Sequence, residues 1–177
     1  MRFSVEHRFA APIHAVEQSM TDPEFFAQLR DLPGVEAPVL LERRERPGSV
    51  ELAVRYVFSG DLPSVARRVL GRGEVAWVQR STVDLERHRT DFTIVPEAHA
   101  ELLTCTGVYL LRAVSGRPAA DSGNGGQETA RTISGELRVR VPVLGGRAER
   151  AIASGLVERL DAEAKALRLW LTSHTER

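Results

Sequence analysis

The sequence predicts an α+β protein in which a curved antiparallel β-sheet grips one long C-terminal α-helix. Residues 142–172 repeat apolar or small side chains every three or four positions, which is the period of an amphipathic helix. Most of the preceding chain alternates apolar and polar residues, as half-buried strands do. Such a helix spans roughly 45 Å and has to bury its apolar stripe, and a sheet wrapped around it is the simplest cover.

The long helix is expected to be apolar on one side only. Pro142 suits its first turn, where the missing amide proton would have no intrahelical partner. Charged residues such as Arg150, Arg159 and Asp161 are expected on the opposite, exposed side. The expected buried stripe consists of Gly145, Ala148, Ile152, Leu156, Leu160, Ala164, Leu167, Trp170 and Leu171.

One strand and two short helices are predicted at the start of the chain. Residues 2–9 alternate between apolar and polar side chains, which indicates a half-buried strand. Pro12 can begin a short helix. A second helix is expected after Thr21 and Asp22, because a side-chain cap is followed by Pro23 in the first turn.

Six further strands are expected, and the short turns between them favour an antiparallel meander. Their ranges are 35–44, 50–58, 74–80, 87–95, 101–114 and 129–141. Residues 115–128 are rich in small residues and are expected to form a hairpin loop. Residues 63–70 have helical spacing, and they are expected to form a static cap over the core or a mobile lid hinged at neighbouring glycines.

Length, charge and hydropathy are those of a soluble globular protein, with one domain over residues 1–177. The 24 basic and 24 acidic residues balance, which gives no overall attraction to nucleic acid or to an anionic membrane. No apolar run is long enough to cross a bilayer, and the first residues lack the apolar segment of a secretory signal. The expected location is therefore the cytoplasm.

The residue patterns point to no cofactor, no metal and no known catalytic signature. Cys105 is the one cysteine, which excludes an internal disulfide and a multi-cysteine zinc site. The five histidines are scattered, and none forms a pair at metal-ligand spacing. The glycines at 123, 125 and 126 lack the lysine and the strand-to-helix context of a phosphate-binding loop.

The order of the predicted elements resembles the helix-grip fold of the START-like (SRPBCC) superfamily. The residues that carry the resemblance are Phe9-Ala-Ala-Pro12-Ile-His-Ala-Val16, the Thr21-Asp22-Pro23 helix start, and Leu137-Arg-Val-Arg-Val-Pro142-Val-Leu-Gly-Gly146-Arg-Ala-Glu149. The last run is similar to an uncharacterised bacterial domain-of-unknown-function branch. The superfamily includes birch-pollen-allergen-like proteins, polyketide cyclases and lipid-transfer domains. The resemblance therefore implies a fold and a cavity, but no particular chemistry.

A set of residues is predicted to line a cavity between the sheet and the long helix. The strand residues of this set are Phe3, Val5, His7, Tyr56, Trp77, Tyr109, Ile133 and Leu137, and the helix residues are Ile152, Gly155 and Leu156. An imidazole at His7, on an apolar strand face, could transfer a proton, although a hydrogen-bonded interior histidine is the simpler interpretation. Glycine at positions 107, 135 and 155 is costly, and it indicates either tight packing or space for a ligand.

Three functions are compatible with these residues. The leading hypothesis is non-enzymatic binding of a small hydrophobic molecule, of the lipid, polyketide or isoprenoid class. One alternative is a cyclase or dehydratase that uses His7 or Tyr109 as acid or base. The other alternative is a protein-interaction module with a filled core. The expected partner is a small hydrophobic molecule, with no nucleic acid and no stable membrane insertion; the oligomeric state is left open.

Overall fold

The computed structural model confirms the α+β architecture with the long helix at its end. It describes residues 1–61, 73–115, 127–141 and 145–175. Seven antiparallel strands form one sheet in the order β1-β7-β6-β5-β4-β3-β2. The elements are β1 (Arg2–Phe9), α1 (Ile13–Met20), α2 (Pro23–Gln28), β2 (Val39–Arg46), β3 (Ser49–Val57), β4 (Ala76–Asp84), β5 (Arg89–Pro96), a short 3-10 helix (Ala100–Leu102), β6 (Leu103–Ser115), β7 (Gln127–Val139) and α3 (Gly145–Thr175).

The predicted start of the second short helix is confirmed in detail. The Asp22 side chain accepts a hydrogen bond of 2.8 Å from the Glu24 amide, and Pro23 occupies the first turn of α2. Residue 35 lies outside β2 and forms an isolated bridge with Phe58. The proposed cap or lid at residues 63–70 and most of the loop between β6 and β7 lie outside the described residues.

The sheet has to curve around α3, because one turn of the helix reaches strands that are far apart in the sheet. Asp161 of α3 contacts His7 on β1, and Arg159 of α3 contacts Tyr56 on β3. In a flat sheet these strands would be roughly 24 Å apart, at about 4.8 Å per strand. The two contacts are therefore possible only if the sheet wraps around the helix, as the sequence analysis expected.

Two glycines lie opposite each other at the centre of the sheet, Gly107 on β6 and Gly135 on β7. A Cβ atom on Gly107 would lie 2.4 Å from the Ser134 carbonyl oxygen and 2.6 Å from the Phe92 ring. A Cβ atom on Gly135 would lie 2.6 Å from the Phe3 ring. The space that these glycines leave is therefore filled by aromatic rings, and of the two interpretations the structure favours tight packing.

The long helix α3 begins at Gly145 within the described residues and buries a stripe that differs from the predicted one at two positions. Gly155 is exposed, because it lies about two and a half turns from the buried Ala164 and so on the opposite side. Ile152 is 40% exposed. It shares its side of the helix with Trp170, but Trp170 is covered by Phe25 of α2, whereas Ile152 lies near the start of α3.

The charged side of α3 also differs from the prediction. Arg159, expected on the outside, is only 2% exposed and lies over the Tyr56 ring. In the described parts of the chain, no helix combines the length and the apolarity needed to cross a membrane.

Candidate functional site

The residues predicted to line one cavity are divided between two apolar clusters. The first cluster lies under the N-terminal half of α3 and contains Phe3, Tyr109, Ile133, Leu137 and Leu156, with the half-buried Val5 packed against it. The second cluster contains Tyr56, against which Trp77 packs, and extends to Trp170. His7 is buried, and Ile152 and Gly155 lie on exposed sides of α3. Those two helix positions therefore do not face the interior.

A cavity of about 40 Å³ lies between α1, α2, the sheet and α3. Of the predicted lining residues, Tyr56 and Tyr109 reach it. Its apolar wall consists of Met20, Phe25, Phe26, Leu52, Val54, Tyr56, Val83 and Leu111, and its polar wall of Glu17, Thr21, Gln79, Ser81, Thr90, Tyr109 and Glu163. A void of this size holds a few water molecules at most. Its mixed wall distinguishes it from a purely apolar packing defect.

A charged cluster lies beside the cavity and joins the sheet to α3. Arg131 of β7 is completely buried, and its Nη1 donates to Glu163 Oε1 at 3.0 Å. Its Nη2 donates to His7 Nδ1 at 3.2 Å. The guanidinium also lies 5.3 Å from the centre of the Phe9 ring and 5.8 Å from that of Tyr109. A buried charge of this kind is tolerated because a carboxylate and further hydrogen bonds compensate its desolvation.

The neighbours of His7 fix its tautomer. A guanidinium can only donate, so Nδ1, which faces Arg131, is the accepting nitrogen. The proton is then on Nε2, which donates to Asp161 Oδ1 at 2.8 Å. Burial lowers the pKa of His7, and the positive charge of Arg131 lowers it further, although the hydrogen bond to Asp161 opposes both effects. His7 is thus a neutral, fully hydrogen-bonded interior histidine.

Because the pKa of His7 is lowered by folding, we expect stability to fall as the pH drops below about 6.5. In that range the unfolded chain binds a proton that the folded protein excludes, so acid favours unfolding. Urea unfolding at pH 7.5 and pH 5 would measure the loss. His7→Gln is the control, since its amide can accept from Arg131 and donate to Asp161 without titrating. An equal loss in the variant and the original protein would contradict this role.

A second buried polar cluster involves Arg159 of α3. Its Nη2 donates to Gln79 Oε1 at 3.2 Å, and the guanidinium carbon lies 4.3 Å from the centre of the Tyr56 ring. Gln79 in turn donates from Nε2 to the Tyr109 hydroxyl at 3.3 Å. The remaining groups of the guanidinium, Nε and Nη1, are buried and have no hydrogen-bond partner. This cluster therefore has unused donors in the protein interior.

The residues considered for acid–base or nucleophilic chemistry are poorly placed for it. Both nitrogens of His7 are occupied, and burial raises the pKa of the Tyr109 hydroxyl. Burial also raises the pKa of Cys105 to about 11, so that its thiol stays protonated. These side chains are suited to packing and hydrogen bonding.

The sequence analysis missed the interior charges Arg131, Arg159 and Glu163, as well as Gln79. The strand positions were recognisable, because Arg131 alternates with the buried Thr129 and Ile133 on the inner face of β7. The helix positions were recognisable by period, because Arg159 lies about three turns before Trp170 and so on nearly the same side. The charge of these residues outweighed their position in the prediction.

Solved structures of known proteins share this fold. The chain is similar to the Zhui aromatase/cyclase from Streptomyces sp. R1128, with a TM-score of 0.61, 16% identity, and coverage of 99% of this chain and 96% of that one. For the protein TTHA0849 from Thermus thermophilus the values are 0.63, 15%, 98% and 99%, and for Ara h 8.0201 they are 0.57, 12%, 98% and 98%. At such identities the likeness establishes the fold, which is the helix-grip fold of START-like proteins.

Sequence comparison gives the family. No curated protein matches the chain in sequence. The family model described as "Protein of unknown function (DUF2505)" matches residues 4–171, which is nearly the whole chain, and the protein therefore belongs to this family.

Proposed function

We propose that the protein binds a small, largely apolar molecule between the sheet and α3, and that it is a binding protein and not an enzyme. The observation that carries this proposal is the cavity of about 40 Å³, in which polar side chains from the sheet and from helices α1, α2 and α3 meet inside an apolar interior. Apolar burial would supply most of the affinity, and the polar groups would orient the ligand. The fold shared with an aromatase/cyclase supports the same interpretation.

The cavity has to widen when a ligand binds. Pockets for molecules of drug size measure roughly 300–1,000 Å³, several times the volume seen here. The part of the wall best suited to move is α2, which is six residues long and contributes Phe25 and Phe26 to the cavity. The structure then corresponds to the closed state of the site, and its ligand would separate α2 from the sheet.

The side chains near the cavity favour binding over catalysis. An acid or base catalyst needs a side chain that can exchange a proton with the substrate near neutral pH. His7 is held between Arg131 and Asp161, and burial raises the pKa of Tyr109 above its usual value near 10. Neither residue meets that requirement.

Narrowing the cavity is expected to weaken binding without destabilising the fold. Val54 on β3 lines the cavity, and Val54→Ile adds one methylene group to the void. We expect the affinity for the neutral fluorescent probe N-phenyl-1-naphthylamine to fall at least about fivefold. Stability should stay the same or rise by up to about 0.8 kcal/mol, the value of one buried methylene. Probe titration and urea unfolding measure the two effects.

Val108→Ile is the matched control, because Val108 lies on β6 between inward-facing residues and so points to the other face of the sheet. It should leave probe affinity unchanged. If the protein does not bind the probe, or if both isoleucine variants bind it like the original protein, the interior is not a ligand site and the interaction-module hypothesis gains. Native mass spectrometry of the purified protein, followed by extraction, would then identify whether a co-purified ligand is a lipid, a polyketide or an isoprenoid.

A further inference from the structure

We infer that the ligand carries a single negative charge, a carboxylate, and that this group binds the guanidinium of Arg159; the inference rests on the proposed function. Arg159 is 2% exposed, and only its Nη2 has a hydrogen-bond partner, the Gln79 amide oxygen. Nε and Nη1 are buried without an acceptor. A buried cation in this condition carries an uncompensated desolvation cost, which an anionic ligand would offset.

The carboxylates closest to the cavity are already paired with other groups. Glu163 accepts from Arg131 Nη1 at 3.0 Å, and Glu17 is hydrogen-bonded to His88 Nδ1 at 3.0 Å. Across residues 1–61, 73–115, 127–141 and 145–175, no carboxylate forms an ion pair with Arg159. The two interior arginines therefore differ: Arg131 has its counterion within the protein, and Arg159 does not.

The surroundings of Arg159 favour a flat anion. The guanidinium lies over the Tyr56 ring at 4.3 Å, and this ring stacks on Trp77 with 5.7 Å between centres. The indole Nε1 of Trp77 is a further buried donor without an acceptor. The planar fork of an arginine matches the two oxygens of a carboxylate. One guanidinium also balances one charge, which suits a carboxylate better than a doubly charged phosphate ester.

The position of Arg159 indicates how such a ligand would lie. Tyr56 and Gln79 both contact Arg159, and both line the cavity. A ligand whose carboxylate binds at Arg159 would therefore extend its apolar part past these two side chains, toward Phe25 and Val54.

Competition with a neutral probe tests the inference. N-phenyl-1-naphthylamine is bound first, and decanoate or decan-1-ol, which have equal chain lengths, then displaces it at pH 8. In the original protein we expect decanoate to compete at a concentration at least tenfold lower than decanol. In Arg159→Met the decanoate advantage should disappear while decanol changes less than twofold. Arg159→Lys should keep part of it, and Arg150→Met, which removes an exposed arginine of α3, should keep all of it.

The outcomes separate this inference from the proposed function. If the probe binds but decanoate and decanol displace it equally from the original protein, the anion site is wrong and the apolar site stands. The same conclusion follows if Arg159→Met keeps the decanoate advantage. If decyl phosphate competes better than decanoate, the assignment to a carboxylate is overturned. If the probe does not bind the original protein, the proposed function fails, and the inference fails with it. The comparison within the original protein decides the matter even if Arg159→Met does not fold.

Discussion

Glu163→Leu is expected to lower the free energy of unfolding by about 3–5 kcal/mol, the typical cost of breaking a buried ion pair from one side. The leucine itself would fit the interior. The cost arises because Arg131 is completely buried and would lose its carboxylate, while its Nε already lacks a partner. His7 Nδ1 would remain its one side-chain oxygen or nitrogen partner among the described residues. Urea unfolding of the purified variants measures the loss.

The second half of this prediction is the recovery. Arg131→Met combined with Glu163→Leu should regain most of the lost stability, because a pair of apolar side chains can replace a buried ion pair with little net cost. The methionine would pack against the rings of Phe9 and Tyr109, which now face the guanidinium. Glu158→Leu, an exposed change on the same helix, should cost less than about 0.5 kcal/mol. A double variant as unstable as the sum of the single ones would mean that the two charges are not coupled.

The architecture was predictable because each element has a strong local signal. Alternation set the inner faces of the strands, Asp22 and Pro23 marked the start of α2, and the three-to-four spacing marked α3. These signals come from residues close together in sequence. They hold whatever the rest of the chain does, as long as the apolar faces meet in one core.

The candidate site was harder to predict because it depends on which elements cover each side chain. Ile152 and Trp170 lie on the same side of α3, about five turns apart, yet Phe25 covers one of them and the other is 40% exposed. Periodicity gives the direction of a side chain around the helix and says nothing about what it meets. That information comes from α2 and from the curvature of the sheet, which are tertiary features.

The buried arginines illustrate the same limit from the opposite direction. A charged residue is normally assigned to the surface, since burying it unpaired is costly. Arg131 is buried because Glu163, 32 positions later, and His7, 124 positions earlier, both reach it. Pairing over such separations cannot be recognised in one sequence. An inward-facing position occupied by a charge is nevertheless a useful signal for a functional interior.

Gly107→Ala is expected to destabilise the protein by about 3 kcal/mol, at the upper end of the usual cost of overpacking. The new methyl carbon would lie 2.4 Å from the Ser134 carbonyl oxygen and 2.6 Å from the Phe92 ring. The ring can rotate away, but the carbonyl belongs to β7, which pairs with β6 along its whole length. Relief of the contact would require the two central strands of the grip to separate locally. Thermal and urea unfolding should both register the loss.

Gly155→Ala is the matched control, because the same methyl group is added to the same residue type in open space. A Cβ atom on Gly155 would have no neighbour within 4 Å, and alanine is favoured over glycine inside a helix by about 1 kcal/mol. The two substitutions should therefore shift stability in opposite directions. If Gly107→Ala were as stable as the original protein, the close approach of β6 and β7 at this point would be wrong, and with it the tight packing of Phe92 and Phe3 against the glycine pair.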